Sequence, residues 1–433
     1  MGVDLNALIG KRLPDWIAMR RDFHQHPELG FTEFRTASIV AERLKGLGYS
    51  VRLGRDVMDP DTMYGKPRPD QLEKEMKRAL SEGGVASWVD RMAGGMTGVV
   101  GELKRGPGPV VAFRFDIDAL PIVEETTREH LPFVRGFASR HPGVMHACGH
   151  DGHTAIGLAV AEAAAAMGDR WRGTLKLIFQ PAEEGGRGAL PMVKAGVVED
   201  ADYFFAAHLG CNLPSGTIAA AVEKLLFSTK LDVTYRGRSA HAANNPQDGR
   251  NALLAGASCA LALHAIARHG SEQTHVNVGR MVAGTARNAI AADCTMLVEV
   301  RGESDDSLGY METRAQDIIE GTARQWNVAH SIERMGRTIG EPTDATSQAL
   351  VTEIARTLPD VKNIVPSWNA GGSDDACYFI RRMHERGKYG AYFVVGSSLA
   401  AGHHATSFEF QEPDIAIGVQ MLIGLLERLS RAG

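Results

Sequence analysis

The 433-residue sequence has little that suits a membrane-bound, secreted or nucleic-acid-binding protein. No stretch approaches the roughly 20 apolar residues that a membrane helix needs. The first residues lack the basic segment followed by an apolar one that marks a secretory signal. No basic run stands out, and a formal net charge of −5 gives no basis for a nucleic-acid surface. We therefore expect neither a nucleic-acid partner nor a membrane partner.

Cysteine is also scarce. An odd number of cysteines, scattered along a long chain, suits reduced thiols better than a disulfide framework, so we expect a cytoplasmic protein. The hydrophobic share of 44% and the charged share of 23% are ordinary for a globular protein, and the length allows two or three domains. The five cysteines are Cys148, Cys211, Cys259, Cys294 and Cys377.

One short segment concentrates coordinating side chains: His146-Ala-Cys-Gly-His-Asp-Gly-His153. A single glycine separates Cys148 from His150, so a thiolate and an imidazole can face one centre. Zinc, manganese and similar ions accept this mixture of sulfur, nitrogen and oxygen ligands. The alternative is a helix start, with Asp151 or Thr154 as the N-cap of the apolar run that follows. That alternative leaves the cysteine and the histidines unexplained, so the segment favours a metal site.

Strands and helices alternate in the first half of the chain. Apolar runs over 98–103, 109–116 and 174–179 read as strands, and the alanine-rich stretch 154–167 reads as a helix. This alternation predicts an α/β sheet with helices on both faces. In such sheets ligands collect beyond the carboxyl ends of the strands, where the polar clusters of this sequence also fall.

The chain changes character between 225 and 337. The order strand, helix, strand, strand, helix, strand predicts a ferredoxin-like α+β domain inserted into the first one. We therefore predict a first domain over 1–224 and 338–433 and a second domain over 225–337. Within the first domain, the proline-containing and strongly charged stretch at about 55–95 reads as a helical surface insertion.

Glu183 and Glu184 directly follow a buried strand. Two adjacent carboxylates point in different directions, so one can bind a cation while the other accepts a proton from water. The alternative is a pair of solvated acids on a glycine-rich loop. His208 and the pair His403-His404 also follow apolar strands, although a lone histidine there is often a core residue. Five ligands suffice for two metal ions: Cys148, His150, Glu184, His208 and one of the late histidines.

Two loops of the predicted inserted domain carry polar side chains. His241 lies in a loop of small residues between a strand and a helix, where an imidazole can meet a substrate carbonyl oxygen. Arg287 and Asn288 offer a guanidinium and an amide to a carboxylate. Either loop is equally explained as a turn stabilised by asparagine side chains.

Together these motifs resemble the M20 metallopeptidases, specifically their amidohydrolase branch, over essentially the whole chain. The resemblance implies a metallopeptidase-type catalytic domain with a mixed sheet and flanking helices, and an inserted ferredoxin-like lid and dimerisation domain. The motifs are Arg114-Phe-Asp-Ile-Asp-Ala-Leu-Pro121, Met145 to His153, Gln180-Pro-Ala-Glu-Glu-Gly185, Ser239-Ala-His-Ala242 and Gly372-Ser-Asp-Asp375.

The resemblance also implies roles for single residues. His404 is preferred to His403 because it lies four residues before Phe408, the spacing that the family shows. Glu183 matches the general base. His241 matches a lid histidine that reaches the active site of the other protomer in a dimer. Two divalent ions, manganese or zinc, would be held by Cys148, His150, Glu184, His208 and His404.

Asn288, with its neighbour Arg287, matches a lid position close to the substrate.

The sequence departs from the family pattern at three places. The proline expected after the last ligand is missing, a glutamate replaces the aspartate of a Phe-Asp-Phe motif at Glu409, and Asp374 replaces a commoner glutamate. These departures concern the leaving-group pocket more than the metal site.

The implied reaction is hydrolysis of the amide that joins an acyl or aroyl group to an amino acid. Within the branch, the insertion at 55–95 and the Ala-Ala-Gly-His-His ending resemble the p-aminobenzoyl-glutamate hydrolases, which implies p-aminobenzoyl-glutamate as substrate. The alternatives are a hippurate-like or auxin-conjugate-like N-acyl amino acid, or a subunit that is inactive without a partner chain. The expected assembly is a homodimer, or a heterodimer with a homologous subunit, through the lid domain.

Overall fold

The computed structural model describes residues 4–430; the remaining residues of the predicted first domain, 1–3 and 431–433, lie outside this range. The helices are α1 Leu5–Gln25, α2 Phe34–Gly46, α3 Pro69–Ser81, α4 Ala86–Val89, α5 Leu131–Val134, α6 His150–Ala166, α7 Ala189–Lys194, α8 Ala252–His264, α9 Asp305–Trp326, α10 Ala345–Thr357, α11 Cys377–Glu385 and α12 Ile415–Ser430.

The strands form two main sheets and a two-stranded one. They are β1 Ser50–Leu53, β2 Val99–Arg105, β3 Val110–Asp116, β4 Gly173–Gln180, β5 Tyr203–Leu209, β6 Thr217–Ala219, β7 Val222–Glu223, β8 Phe227–Arg236, β9 Thr274–Ala283, β10 Asp293–Gly302, β11 Ala329–Thr338, β12 Asn363–Val365, β13 Trp368–Asn369 and β14 Tyr389–Val395.

The larger sheet has eight strands in the order β1-β2-β4-β3-β5-β14-β6-β12. Its four central strands, β4, β3, β5 and β14, run parallel to one another, whereas β2 and β6 pair with this group in the antiparallel direction. The carboxyl ends of the four parallel strands therefore meet at one edge. This mixed sheet confirms the predicted α/β fold.

Alternation along the central strands explains why helices cover both faces. In β3, Val111 and Phe113 pack into the core under α6, α1 and α12, while the intervening Ala112 points into the other core. That second core includes Phe379 of α11 and Met192 of α7. Successive side chains of a strand point to opposite faces, so a strand buried on both sides is mostly apolar along its length.

The smaller sheet has four antiparallel strands in the order β11-β8-β10-β9, with α8 and α9 packed on it. The chain order strand, helix, strand, strand, helix, strand is the one that the sequence predicted for this region. The first and last strands of the segment lie side by side, and Ser228 pairs with Thr338. The segment therefore leaves and rejoins the rest of the chain at neighbouring points.

Helix α3 forms the main part of the 55–95 stretch and packs against α2. Leu72 and Ala79 are its buried positions, and the rest of the helix is partly or fully exposed. Within residues 4–430, no helix combines the length and the apolar character needed to cross a membrane.

Helix α6 begins earlier than either alternative start predicted from the sequence. Its first residue is His150, and the cap is Gly149, whose φ of 92° places it in the left-handed region. Asp151 and Thr154 lie inside the helix, so the alternative interpretation of the segment, in which one of them is the N-cap, is wrong. A glycine tolerates a positive φ without the steric cost of a Cβ, and the chain can therefore turn sharply between Cys148 and His150.

Candidate metal centre

The predicted ligands converge at the carboxyl edge of the parallel strands. The Cys148 Sγ atom lies 3.5 Å from His208 Nε2, and Glu184 Oε1 lies 3.4 Å from His404 Nε2. His150, at the start of α6, completes the set. The structure thus brings together five side chains from four separate segments of the chain.

The ligand atoms form two groups that share one cysteine. Cys148, His150 and His208 place one ligand atom each within 4.8 Å of one another, and so do Cys148, Glu184 and His404. Each group offers three ligands of the kinds that zinc and similar ions accept. Because Cys148 belongs to both groups, its thiolate lies between two candidate metal positions.

Unpartnered buried atoms provide a test of whether a metal fits. His150 Nε2 and Glu184 Oε1 are buried and have no hydrogen-bond partner among residues 4–430. Buried polar atoms without a partner are uncommon because they lose their hydration without compensation. Both atoms belong to predicted ligands, one in each group that contains Cys148, and a divalent cation in each group would satisfy them. The donor set therefore fits a metal.

Two histidines are held in the tautomer that a ligand needs. His150 Nδ1 donates to the main-chain oxygen of Asp118 at 3.0 Å, and His208 Nδ1 donates to the main-chain oxygen of Leu209 at 2.8 Å. In each neutral ring the proton is therefore on Nδ1, and Nε2 has the lone pair that a metal ion would take in place of a second proton. Such a second hydrogen bond also fixes the orientation of the ring.

The electrostatics of the cluster favour positive charge. Burial lowers the pKa of His150, but Asp116 and Cys148 raise it more, and the net pKa lies well above the ordinary value. A field that stabilises an imidazolium also stabilises a metal cation. Burial, together with His153, instead lowers the pKa of His208, so that imidazole is neutral and available as a ligand.

The pKa values of Cys148 and His403 are shifted as well. Burial raises the pKa of the Cys148 thiol well above its usual range, with a contribution from the nearby Glu184 carboxylate. A coordinated cation reverses such a shift because the thiolate is the form that binds. Burial and His153 lower the pKa of His403 to about 4. Its Nε2 accepts a hydrogen bond from the Cys211 amide at 3.0 Å, so Nδ1, 3.6 Å from the Cys148 sulfur, carries the proton.

Glu183 lies beside the ligands without belonging to either group that contains Cys148. Burial and the neighbouring carboxylates of Asp374 and Glu184 raise its pKa well above the ordinary value. Its Oε2 is 3.9 Å from His150 Nε2. A carboxyl group with a raised pKa, next to a metal site, is suited to accept a proton and give it back.

A cleft of about 450 Å³, which we call the main cleft, opens above the cluster. The candidate ligands Cys148, Glu184, His208 and His404 line it, as does Glu183. Further lining residues come from both sheets and the loops between them, among them Val222, Leu225, Lys230, Arg301, Trp368 and Tyr392.

Two other residues of the His146–His153 segment, His153 and Asp151, make buried polar contacts next to the cluster. His153 donates from Nδ1 to Asp116 at 2.5 Å, and its Nε2 accepts the Leu209 amide proton at 2.9 Å. Asp151 forms a buried ion pair with Arg20, with 2.7 Å between Oδ2 and Nε. His146 is buried, and its two ring nitrogens have no hydrogen-bond partner among the described residues.

The structure does not bring the predicted lid residues to this cluster within one chain. His241, Arg287 and Asn288 are exposed and are not among the residues that line the main cleft. His241 Nδ1 instead accepts hydrogen bonds from the amides of Ala243 and Asn244, at 3.2 and 3.1 Å. In the single chain the His241 loop is therefore a turn, and the imidazole rather than an asparagine side chain accepts its amide protons.

Sequence reasoning assigned no role to Asp118, which orients both carboxylates. Its two carboxylate oxygens accept the backbone amide protons of Glu183 and Glu184, at 3.1 and 3.0 Å. A usable signal was present, because Asp116 ends β3 and Asp118 follows it, just as the two glutamates follow β4. Two acidic clusters after neighbouring parallel strands have to lie close together.

The sequence is similar to a known family and to known proteins over most of its length. A model of Peptidase family M20/M25/M40 matches residues 112–428. The chain is 44% identical over 420 residues to indole-3-acetyl-aspartic acid hydrolase of Enterobacter agglomerans, covering 96% of each chain. It is likewise 44% identical over 420 residues to a p-aminobenzoyl-glutamate hydrolase subunit of Escherichia coli (strain K12), again covering 96% of each.

Solved structures of similar proteins also include a member of the M20 family. The aminobenzoyl-glutamate utilization protein from Klebsiella pneumoniae superposes with a TM-score of 0.85 at 37% identity, over 98% of both chains. A dinuclear metal-binding peptidase of the M20 family from Bacillus subtilis superposes with a TM-score of 0.65 at 25% identity, over 97% of this chain and 99% of that one. The chain therefore belongs to peptidase family M20 and is a hydrolase of amide bonds.

Proposed function

We propose that the chain hydrolyses the amide between an acyl or aroyl group and an amino acid, with p-aminobenzoyl-glutamate as its first candidate substrate. The observation that carries this proposal is the pair of ligand groups sharing Cys148, with Glu183 beside them at the edge of the parallel strands. Two relatives at 44% identity are named for hydrolysis of such conjugates, one of aspartate and one of glutamate.

The proposal includes two divalent ions, manganese or zinc, held by five ligands. When bound, such ions polarise a carbonyl group and lower the pKa of water. The shared position of Cys148 and the unpartnered Nε2 of His150 and Oε1 of Glu184 support this stoichiometry. The proposed ligands are Cys148, His150, Glu184, His208 and His404.

Glu183 is the proposed general base. It takes the proton from the attacking water and returns it to the nitrogen of the leaving amino acid. The raised pKa supports this cycle because a carboxyl group of ordinary pKa would hold the proton too weakly to deliver it. The backbone amides of Glu183 and Glu184 are fixed by Asp118, so the base and the neighbouring ligand keep their relative positions.

His241, Arg287 and Asn288 are proposed to act on the active site of a second protomer, where His241 would donate a hydrogen bond to the carbonyl oxygen. Their exposure in the single chain supports this arrangement. We propose that residues 225–337 form the lid and dimerisation domain, that 1–224 and 338–433 form the catalytic domain, and that the protein is cytoplasmic. Exposed apolar side chains on α8 and β9 are suited to such a contact: Leu253, Leu254, Leu261, Met281 and Val282.

A second candidate is a subunit that needs a homologous partner chain for activity, because one relative is named as a hydrolase subunit. The two candidates differ in what the purified chain does alone. The complete ligand set and the retained Glu183 favour activity without a partner.

The test is a hydrolysis screen with the purified chain after addition of manganese or zinc. The substrates are p-aminobenzoyl-glutamate, hippurate and indole-3-acetyl-aspartate, and product formation is measured together with bound metal per chain. We expect about two ions per chain and amide hydrolysis that is abolished by a chelator. Two bound ions without hydrolysis of any N-acyl amino acid would contradict the proposal for the isolated chain and support the partner-dependent subunit.

A further inference from the structure

A second chamber of about 660 Å³ adjoins the main cleft. The two spaces share Leu120, Glu184 and Gly185 in their linings, so the chamber reaches the candidate ligand Glu184 from another side. A substrate whose amide lies at the metal cluster can therefore extend one half into each space.

The 55–95 stretch builds much of the chamber wall. Residues Gln71, Lys74, Glu75 and Arg78 line it from α3, at spacings that place them on one face of the helix. Lys66, in the segment before the helix, lines it as well. The charged insertion thus has a definite position next to the candidate active site.

The chamber contains cations that have no acidic partner. Lys66, Lys74 and Arg187 line it, and within residues 4–430 none of the three has a carboxylate oxygen within 4.0 Å of its side-chain nitrogens. Lys66 only reaches the main-chain oxygen of Pro60, at 3.2 Å. Arg78 differs, since its guanidinium pairs with Glu75 at 2.8 Å.

Arg187 has a structural part in the chamber. It donates to the main-chain oxygens of Glu184 and Gly65, at 3.2 and 3.1 Å, and lies over the Phe31 ring. A Cβ on Gly30 would stand 2.4 Å from its terminal nitrogen, so this packing requires a glycine there. Arg187 therefore ties the insertion to the loop that carries the candidate ligand Glu184, and the two lysines remain as ligand-binding candidates.

The main cleft has a different chemistry. Val222, Leu225 and Trp368 give it an apolar and aromatic wall. Its Lys230 and Arg301 both lie within 4.0 Å of Glu299, so these two cations share one carboxylate. An aromatic acyl group matches this wall, whereas an acidic group matches the uncompensated lysines of the second chamber.

We propose that the second chamber binds the amino-acid half of the substrate and selects dicarboxylic amino acids, with Lys66 and Lys74 facing the side-chain carboxylate. This inference rests on the proposed function and adds the residues that determine specificity. It places the leaving amino acid in the second chamber and not beside Asp374, which lines the main cleft and which the family resemblance assigns to the leaving-group pocket. It also gives the 55–95 insertion a function, namely to place two cations beside the metal-ligand loop.

The test compares two substrates of nearly equal shape, N-benzoyl-glutamate and N-benzoyl-glutamine. The variants are Lys66→Gln, Lys74→Gln and their combination. Lys77→Gln is the matched control, because Lys77 lies on the same helix and carries the same charge but does not line the chamber and pairs with Glu73. Hydrogen bonds to charged groups are strong enough that losing both should change rates by a factor of ten or more.

We expect the wild-type chain to prefer the glutamate substrate. In the double variant, kcat/KM for N-benzoyl-glutamate should fall at least tenfold, mainly through KM, while kcat/KM for N-benzoyl-glutamine changes less than twofold. Lys77→Gln should leave both values unchanged. A double variant with wild-type preference, or a wild-type chain without preference, would overturn the inference. Failure of the wild-type chain to hydrolyse either substrate would instead count against the proposed function.

Binding provides a readout that does not need turnover. In a Glu183→Gln background, calorimetry should show N-benzoyl-glutamate binding at least tenfold more weakly when Lys66 and Lys74 are replaced, and with less dependence on salt. Exposed charges are screened at high ionic strength, so this salt dependence should be visible in the parent and reduced in the variant. Equal affinities of the Glu183→Gln chain with and without the two lysine substitutions would overturn the inference.

Discussion

His150 donates a hydrogen bond from Nδ1 to the main-chain oxygen of Asp118, over 3.0 Å. The carboxylate of the same aspartate accepts the amide protons of Glu183 and Glu184. Asp118, which follows β3, therefore orients three groups. They are the candidate ligand His150, the candidate ligand Glu184 and the candidate base Glu183. The geometry of the centre depends on this residue although it belongs to neither of the two ligand groups that share Cys148.

Asp118→Asn should therefore weaken metal binding. An amide has one acceptor oxygen and one donor group, so one of the two backbone amides would face a donor. Loss of such a supporting partner typically lowers metal affinity about 10- to 100-fold. Competition with a chelator measures the affinity, and the exposed Asp169→Asn serves as control. Unchanged metal affinity in Asp118→Asn would show that the contacts are incidental.

Glu183→Gln should keep both metals and lose turnover. The amide preserves the size of the side chain but cannot accept the proton from water, and general bases contribute about 10²- to 10⁴-fold to rates. Metal content by mass spectrometry and kcat for a hydrolysed substrate are the measurements. Glu184→Gln is the companion variant, expected to lose metal as well as activity. Near-wild-type hydrolysis by Glu183→Gln would exclude this residue as the base.

The two late histidines should behave differently on substitution. His404 Nε2 faces Glu184, and its replacement by glutamine should lower the metal content by about one ion per chain. His403 uses Nε2 to accept the Cys211 amide proton, so His403→Gln should retain both ions and weaken binding only moderately. Metal analysis after dialysis distinguishes them. Loss of an ion in His403→Gln alone would reverse the choice of ligand.

His24 should make the stability of the fold depend on pH. Burial and Arg20 lower the pKa of His24, but hydrogen bonds to Asp151 and Glu124 outweigh them and raise it to about 9. The protonated ring therefore stabilises the folded state fully below its unfolded pKa of about 6.5, and this stabilisation disappears as the pH rises through 9. The shift corresponds to a free energy on the order of 3 kcal/mol.

Thermal unfolding from pH 6 to 10, at constant metal, measures this dependence. The wild-type midpoint should fall across the alkaline half of the range, and His24→Gln should show a lower midpoint at pH 6 with a flatter profile. His330→Gln is the control, since His330 is exposed on β11. Parallel profiles for the wild type and His24→Gln would show that His24 does not carry the effect.

Mixed dimers should test whether His241 acts across protomers. His241→Ala and Glu183→Ala chains should each be inactive alone. After unfolding and refolding together, about half of the dimers are mixed, and each mixed dimer has one site with an intact base and an intact partner histidine. Recovery of about a quarter of wild-type activity is expected. No recovery, with mixed dimers demonstrated by native mass spectrometry, would mean that both residues act in the same protomer.

Much of the fold could be predicted because the residue pattern within each short segment indicates whether it is a strand or a helix. The doubly buried strands β3 and β4 are mostly apolar, apart from Arg114 and Lys176. In β8 and β10, buried and less buried residues alternate, which is typical of strands with one face in the core. The start of α6 was misplaced because side-chain caps are the usual sequence signal, whereas Gly149 caps this helix through its backbone conformation.

The candidate site could be predicted only in part. Cys148, His150 and the two glutamates stand out because neighbouring residues in the chain carry the signal. Asp118 and the chamber lysines do not, since their importance depends on which segments fold beside them. Lys66 and Lys74 look like ordinary solvated charges until α3 is placed next to the loop after β4.

Ser228 pairs with Thr338, and their hydroxyl oxygens are 2.9 Å apart. This pairing has a consequence for how the segment between them can be gained or lost in evolution. Opposed residues of antiparallel strands lie about 5 Å apart, so removing everything between them leaves ends that a very short link can join. Gaining or losing this segment therefore costs the rest of the chain little conformational entropy. A version without it should still close its eight-stranded sheet and bind metal, while lacking every group that the second protomer would supply.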